Sequence, residues 1–187
     1  MELIISSLAD AIPIQKDLDI TKVLSILDMD CLPYFDQTKG TEFTSIWVQD
    51  IEFLSDDPNA PSIKTVQQIF AFSKTLKEDD KVLIHCHAGI SRSTAAALIV
   101  VYDKYACAQI EEVPKVELIS KAGQFVHQIR PIAAPNRLIC KYADEFFKHD
   151  GPYLYEEAQR LNILNNYKDF WNNKIESGQI KLNFGET

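Results

Sequence analysis

Residues 94–105 constrain this chain more than any other stretch. Ala95-Ala96-Ala97-Leu98-Ile99-Val100-Val101 runs without a polar residue, so a helix here lacks a polar face and has to be buried on most sides. It follows Lys81-Val82-Leu83-Ile84-His85, a short continuous apolar segment of the kind buried in a parallel sheet. A strand and a helix that are both apolar all round need other elements packed over them, which points to a layered α/β domain. The chain has 187 residues, a length that suits one domain burying roughly 70% of its unfolded surface.

The rest of the chain supplies those layers. Strands are expected at residues 3–6, 23–27 and 44–48, the last alternating and rich in β-formers. Residues 8–16 predict a short helix broken by Pro13. Residues 28–44, with Pro33 and Gly40, read as a loop-rich excursion, and Asp56-Asp57-Pro58-Asn59-Ala60-Pro61-Ser62 as a turn cluster. Ile63, Val66, Ile69, Phe70, Phe72 and Leu76 then recur at helical spacing, with Ser62 placed to cap the first turn. Further helices are expected at 115–129, from Asn136 to about 148, and near Leu154, Ala158, Leu161 and Leu164, before a frayed tail. Strands alternating with helices imply a central, mainly parallel sheet flanked by helices. The expected organisation is a single domain over 1–187, with about 149–187 as a C-terminal helical extension.

The four cysteines, Cys31, Cys86, Cys107 and Cys140, form no CxxC pair. Neither a zinc site nor a disulfide framework is signalled, and no metal or cofactor is expected. Cys31, Cys107 and Cys140 are expected as core thiols.

Cys86 differs by its context, His85-Cys86-His87-Ala88-Gly89-Ile90-Ser91-Arg92-Ser93-Thr94. The segment joins a buried strand to a buried helix, at the carboxyl edge of the sheet where α/β folds bind ligands. A helix starting near Arg92 directs free N–H groups and its positive dipole end into the loop, which favours an oxyanion, phosphate above all. Gly89 lets the backbone curl so that successive N–H groups converge. Arg92 can add a two-pronged contact to phosphate oxygens. That field favours the thiolate of Cys86, a nucleophile in line with phosphorus. Ser93 could hydrogen-bond the sulfur as it leaves.

The string His85-Cys86-x5-Arg92-Ser93, with its apolar strand, Ala88-Gly89 and apolar helix, resembles the signature of the cysteine-dependent protein tyrosine and dual-specificity phosphatases. The resemblance extends from Leu3 to about Lys148 and includes Arg130-Pro-Ile-Ala-Ala-Pro-Asn136. The compact form and loop text are most similar to small bacterial members. The resemblance implies a protein-tyrosine-phosphatase-like fold and a two-step mechanism through phosphocysteine, without metal or organic cofactor. It makes Cys86, Arg92, Ser93 and an upstream aspartate catalytic, and puts His87, Ala88, Gly89, Ile90, Ser91 and Arg92 around the phosphate.

Three aspartates compete for the general acid. Asp50 directly follows the strand at 44–48, where dual-specificity relatives carry their acid, whereas Asp56 and Asp57 sit in the proline-rich turn. Asp50 is preferred and Asp57 stands second; the same carboxylate would serve as base in the second step. His85 either orients the loop and tunes the thiolate or is a satisfied buried histidine. His87 is assigned to the pocket rim. Asn136 is first a helix cap, with a supporting role at the site as the second possibility.

Charge narrows the substrate. The net charge of −8 and pI near 5.0 disfavour nucleic acid. No apolar run approaches the roughly 18 residues of a membrane span, and the acidic start Met1-Glu2 does not suit a signal peptide. A cytoplasmic protein acting on a phosphorylated protein or peptide is expected. His87, Ala88, Ile90 and Ser91 include no lysine, which argues against a highly charged inositol head group. Phosphotyrosine, with phosphoserine or phosphothreonine alongside, follows by resemblance. The alternatives are a phosphatase for phosphoinositides or other small phosphomonoesters, a catalytically inactive phospho-binding module, and a sulfur-transfer or arsenate-reducing enzyme.

Overall fold

The computed structural model describes residues 1–28, 40–108 and 113–165. Four strands, β1 (Glu2–Ser7), β2 (Lys22–Leu27), β3 (Glu42–Trp47) and β4 (Lys81–Cys86), form one sheet in the order β1-β4-β2-β3. Every pairing is parallel, with Ile84 level with Ile5 on one side and Leu24 on the other. The helices among the described residues are α1 (Leu8–Asp17), α2 (Ile63–Thr75), α3 (Arg92–Ala108), α4 (Lys115–Ile129), α5 (Arg137–Phe146) and α6 (Tyr153–Leu164).

The pleat sends alternate side chains to opposite faces of the sheet. Leu3, Ile5, Leu24, Ile26, Val82 and Ile84 join the large core with α2 to α6. Val23 and Leu83 face the other way and pack with Ala11 of α1 and with Ile20. From Arg92 to Asp103, α3 is buried at every position, as a helix without a polar face requires. No helix among the described residues is long and apolar enough to cross a membrane.

The structure departs from the sequence expectations at Pro13 and at Cys107, and β3 begins at Glu42 rather than residue 44. Pro13 does not break α1, which runs on to Asp17. The ring removes one hydrogen bond in the middle of the helix, while Ser7 Oγ accepts the Asp10 N–H at 3.2 Å and Ala11 is fully buried against the sheet. The helix after the candidate loop begins at Arg92, as expected, where the Ser91 carbonyl accepts the Ala95 N–H at 3.0 Å. Cys107 is exposed, not a core thiol. It lies in the last turn of α3, where the helix leaves the core, with Lys74 Nζ 3.3 Å from its sulfur. Cys140 is fully buried, and burial pushes its thiol far up. Cys31 lies outside the described residues.

Helix α6 shares the main core. Leu154, Ala158 and Leu161 of α6 are fully buried in it. Asp144 of α5 accepts the N–H groups of Leu154 and Tyr155 at 2.9 and 3.0 Å, satisfying donors that the start of α6 would otherwise leave open.

Candidate active site

The loop 87–91 leaves the sheet from β4, which has neighbours on both sides, and enters α3 directly. Its shape is set by its carbonyls. His87 O accepts from Leu8 N–H at 3.0 Å, at the junction of β1 and α1. Arg130 donates Nε to Gly89 O at 2.9 Å and Nη2 to Ala88 O at 3.3 Å. Ile90 O accepts from Ala134 N–H at 3.0 Å, and Ser91 O from Asn136 N–H at 3.2 Å. The Thr94 hydroxyl also bonds both of these carbonyls. All five loop carbonyls are thereby held by donors outside the loop, an arrangement that turns the N–H sides of the peptides inward.

Gly89 makes this curl possible. Its φ is +68°, and a Cβ there would lie 2.4 Å from the carbonyl carbon of Ser6. Both the left-handed backbone and the close approach to β1 exclude a side chain.

Cys86 is only 1% exposed and joins the large core, but two polar groups reach its sulfur. Gly89 N–H donates to its sulfur at 3.3 Å, and the Ser93 hydroxyl lies 3.2 Å from it. Arg92, the first residue of α3, is 3% exposed. Its Nη1 donates to Asp28 Oδ1 at 2.8 Å and to Val48 O at 2.7 Å. Its Nη2 is 3.4 Å from His87 Nδ1. Its Nε is buried without a hydrogen-bond partner. A bound oxyanion would supply the missing acceptor.

Of the three aspartates, Asp50 meets the loop. Its Oδ1 accepts from Ser91 Oγ at 2.6 Å and from Asn136 Nδ2 at 2.8 Å, and its Oδ2 is 3.8 Å from Arg92 Nε. Asp57 is engaged in its own turn instead: its Oδ1 accepts the Asn59 N–H at 2.8 Å, and its N–H donates to Ser55 Oγ at 3.1 Å. Asn136 is the expected cap and also contacts Asp50. Its Oδ1 caps α5 through the Ile139 N–H at 3.0 Å, while its Nδ2 also holds Ile51 O at 3.1 Å. Beyond it, Arg137 donates to Glu52 Oε2 through Nε at 3.1 Å and Nη2 at 2.9 Å, tying the segment after Asp50 to α5.

His85 is fully buried beneath the loop, with Nε2 2.6 Å from Ser25 Oγ. Burial pushes its pKa down to about 4, so the ring is neutral at pH 7. His87 is at the rim, its side chain 41% exposed and its Nδ1 3.3 Å from Asp28 Oδ2.

The family model for the dual specificity phosphatase catalytic domain matches residues 3–141. The chain belongs to this family. Among solved structures it is similar to the Yvh1 phosphatase domain from Chaetomium thermophilum, at 22% identity and a TM-score of 0.57, covering 78% of this chain and 90% of that one. It is similar to OH1 from the Orf virus, described as a tyrosine phosphatase with triple substrate specificity, at 18% identity and a TM-score of 0.57, covering 78% and 82%. It is also similar to the human tyrosine phosphatase-like serine/threonine/tyrosine-interacting protein, at 18% identity and a TM-score of 0.56, covering 78% and 91%. At these identities the likeness is one of fold. No curated protein sequence matches the chain.

Within this dual specificity phosphatase fold, the structure adds Asp28, Arg130, Ser25 and the Val48 carbonyl to the residues expected at the site. Asp28 carried one legible signal, its place directly after an apolar strand at the carboxyl edge of the sheet. Arg130 stood in the noted Arg-Pro segment, but only the packed structure brings it to the loop carbonyls.

Proposed function

We propose that this chain is a cysteine-dependent phosphomonoester hydrolase, a protein tyrosine phosphatase of dual-specificity type working through phosphocysteine. One observation carries the reading: five loop carbonyls are tied outward around Cys86, beside an arginine whose buried Nε has no hydrogen-bond partner and lies 3.8 Å from the Asp50 carboxylate. In the first step Cys86 Sγ attacks phosphorus, the S–P bond forms and the bond to the leaving oxygen breaks. Asp50 gives that oxygen its proton. Loop N–H groups and the Nε/Nη2 edge of Arg92 hold the equatorial oxygens as charge shifts in the transition state. In the second step Asp50 takes a proton from water, the oxygen attacks phosphorus and the S–P bond breaks. Ser93 stabilises the departing sulfur from 3.2 Å.

A loop without lysine and a net charge of −8 support phosphorylated protein over inositol phosphates as substrate. We further read residues 1–187 as one phosphatase domain with a C-terminal helical extension, acting in the cytoplasm.

The test is hydrolysis of an aryl phosphate by purified protein without added metal. Cys86→Ser is expected to lower turnover by roughly 10³-fold or more, and wild-type protein quenched in acid during turnover to carry phosphate on Cys86. Full activity in Cys86→Ser would refute the proposal.

A further inference from the structure

Arg92 is held from behind by a carboxylate that is remote in sequence. Asp28 stands 64 positions upstream, immediately after β2, and its Oδ1 accepts from Arg92 Nη1 at 2.8 Å. The same Nη1 also donates to Val48 O at 2.7 Å. Two acceptors from the ends of two neighbouring strands therefore fix one corner of the guanidinium. A planar fork fixed at one corner has its other edge aimed in a set direction. Here that edge carries the buried Nε, which has no hydrogen-bond partner and lies 3.8 Å from Asp50 Oδ2, and the Nη2 that lies 3.4 Å from His87 Nδ1. The second oxygen of Asp28, Oδ2, is 3.3 Å from that same His87 nitrogen. One carboxylate thus braces the arginine and a rim residue of the loop together.

We propose that Asp28 is a positioning residue for the phosphatase reaction. It aims the Nε/Nη2 edge of Arg92 at the phosphoryl oxygens without touching the substrate. This rests on the phosphatase reading of the site and adds to it a residue outside the C-x5-R loop. A carboxylate against the guanidinium lowers the positive charge of the pocket, so its benefit lies in geometry. Misdirecting a preorganised donor costs most where charge develops in the transition state.

The experiment compares wild-type protein, Asp28→Ala and Asp28→Asn in aryl phosphate turnover and in inhibition by vanadate. Asp28→Asn keeps an oxygen that can accept from Nη1; Asp28→Ala removes it. Asp28→Ala is expected to lower kcat roughly tenfold or more and to weaken vanadate inhibition by a comparable factor. Asp28→Asn is expected to remain within about threefold of wild type, a rescue that a role in charge alone would not produce. If Asp28→Ala does not fold, Asp28→Asn decides the matter on its own. Wild-type kcat in Asp28→Ala, or a tenfold loss in Asp28→Asn, overturns the inference. A wild-type protein without turnover or phosphocysteine would instead overturn the phosphatase reading itself.

Discussion

Asn136 and Asp50, 86 positions apart, meet through a single hydrogen bond of 2.8 Å from Nδ2 to Oδ1. With its other side-chain atom Asn136 caps α5. One amide therefore couples a helix start to the proposed proton donor.

Asn136→Ala should act at both ends. Loss of the cap is expected to cost about 1 kcal/mol of stability, read as a lower urea midpoint. Loss of the Asp50 contact should slow hydrolysis of an alkyl phosphate more than that of a nitrophenyl ester, because only the poor leaving group depends on a well-placed acid. Equal slowing of both esters would confine Asn136 to the cap.

Asp50→Asn isolates the acid itself. We expect a rate loss on the order of 10²-fold for alkyl phosphates and a much smaller one for nitrophenyl phosphate. The same profile from Asp57→Asn, with Asp50→Asn indifferent, would transfer the role to the turn.

Gly89→Ala is expected to fail structurally. The φ of +68° alone costs a non-glycine residue about 1–3 kcal/mol, and the methyl would collide with the Ser6 backbone. The variant should melt lower than wild type and lose turnover and vanadate binding together. Retention of all three would contradict the loop geometry.

His85 should leave a mark on stability against pH. Its folded pKa, down at about 4 from 6.5 because the ring is buried, means that the unfolded chain binds the extra proton between these values. The folded state is therefore fully favoured above about pH 6.5 and loses stability as pH falls toward 4, by roughly 3 kcal/mol across the interval. Urea denaturation at several pH values measures this. In His85→Asn the slope over the same window should be shallower; an unchanged slope would assign it to other groups.

Much of the architecture could be read from local pattern. The apolar stretches at Val82–Ile84 and Ala95–Val101 announce their burial, because nothing else can be done with them in water. The loop between them shows its chemistry through residue types at fixed spacing. What stayed hidden depends on distance along the chain. Asp28 and Val48 reach Arg92 only because β2 and β3 end side by side, and a single sequence does not state strand order. Arg130 reaches Ala88 and Gly89 through the packing of α4 over α3. Cys107 is exposed against the default expectation for a cysteine, because α3 runs past Tyr105 and out of the core. Pro13 misled because local propensity was weighed without the sheet contacts that hold α1 in place.

The neighbours of β4 have a consequence for how the protein loses its capacity to work. The loop and Arg92 are tied to β1, α1, α4, α5 and the ends of β2 and β3, so opening any one of these elements should disturb the pocket. Heat or denaturant should silence the pocket at the point where the whole molecule melts, making catalytic survival a direct gauge of native population.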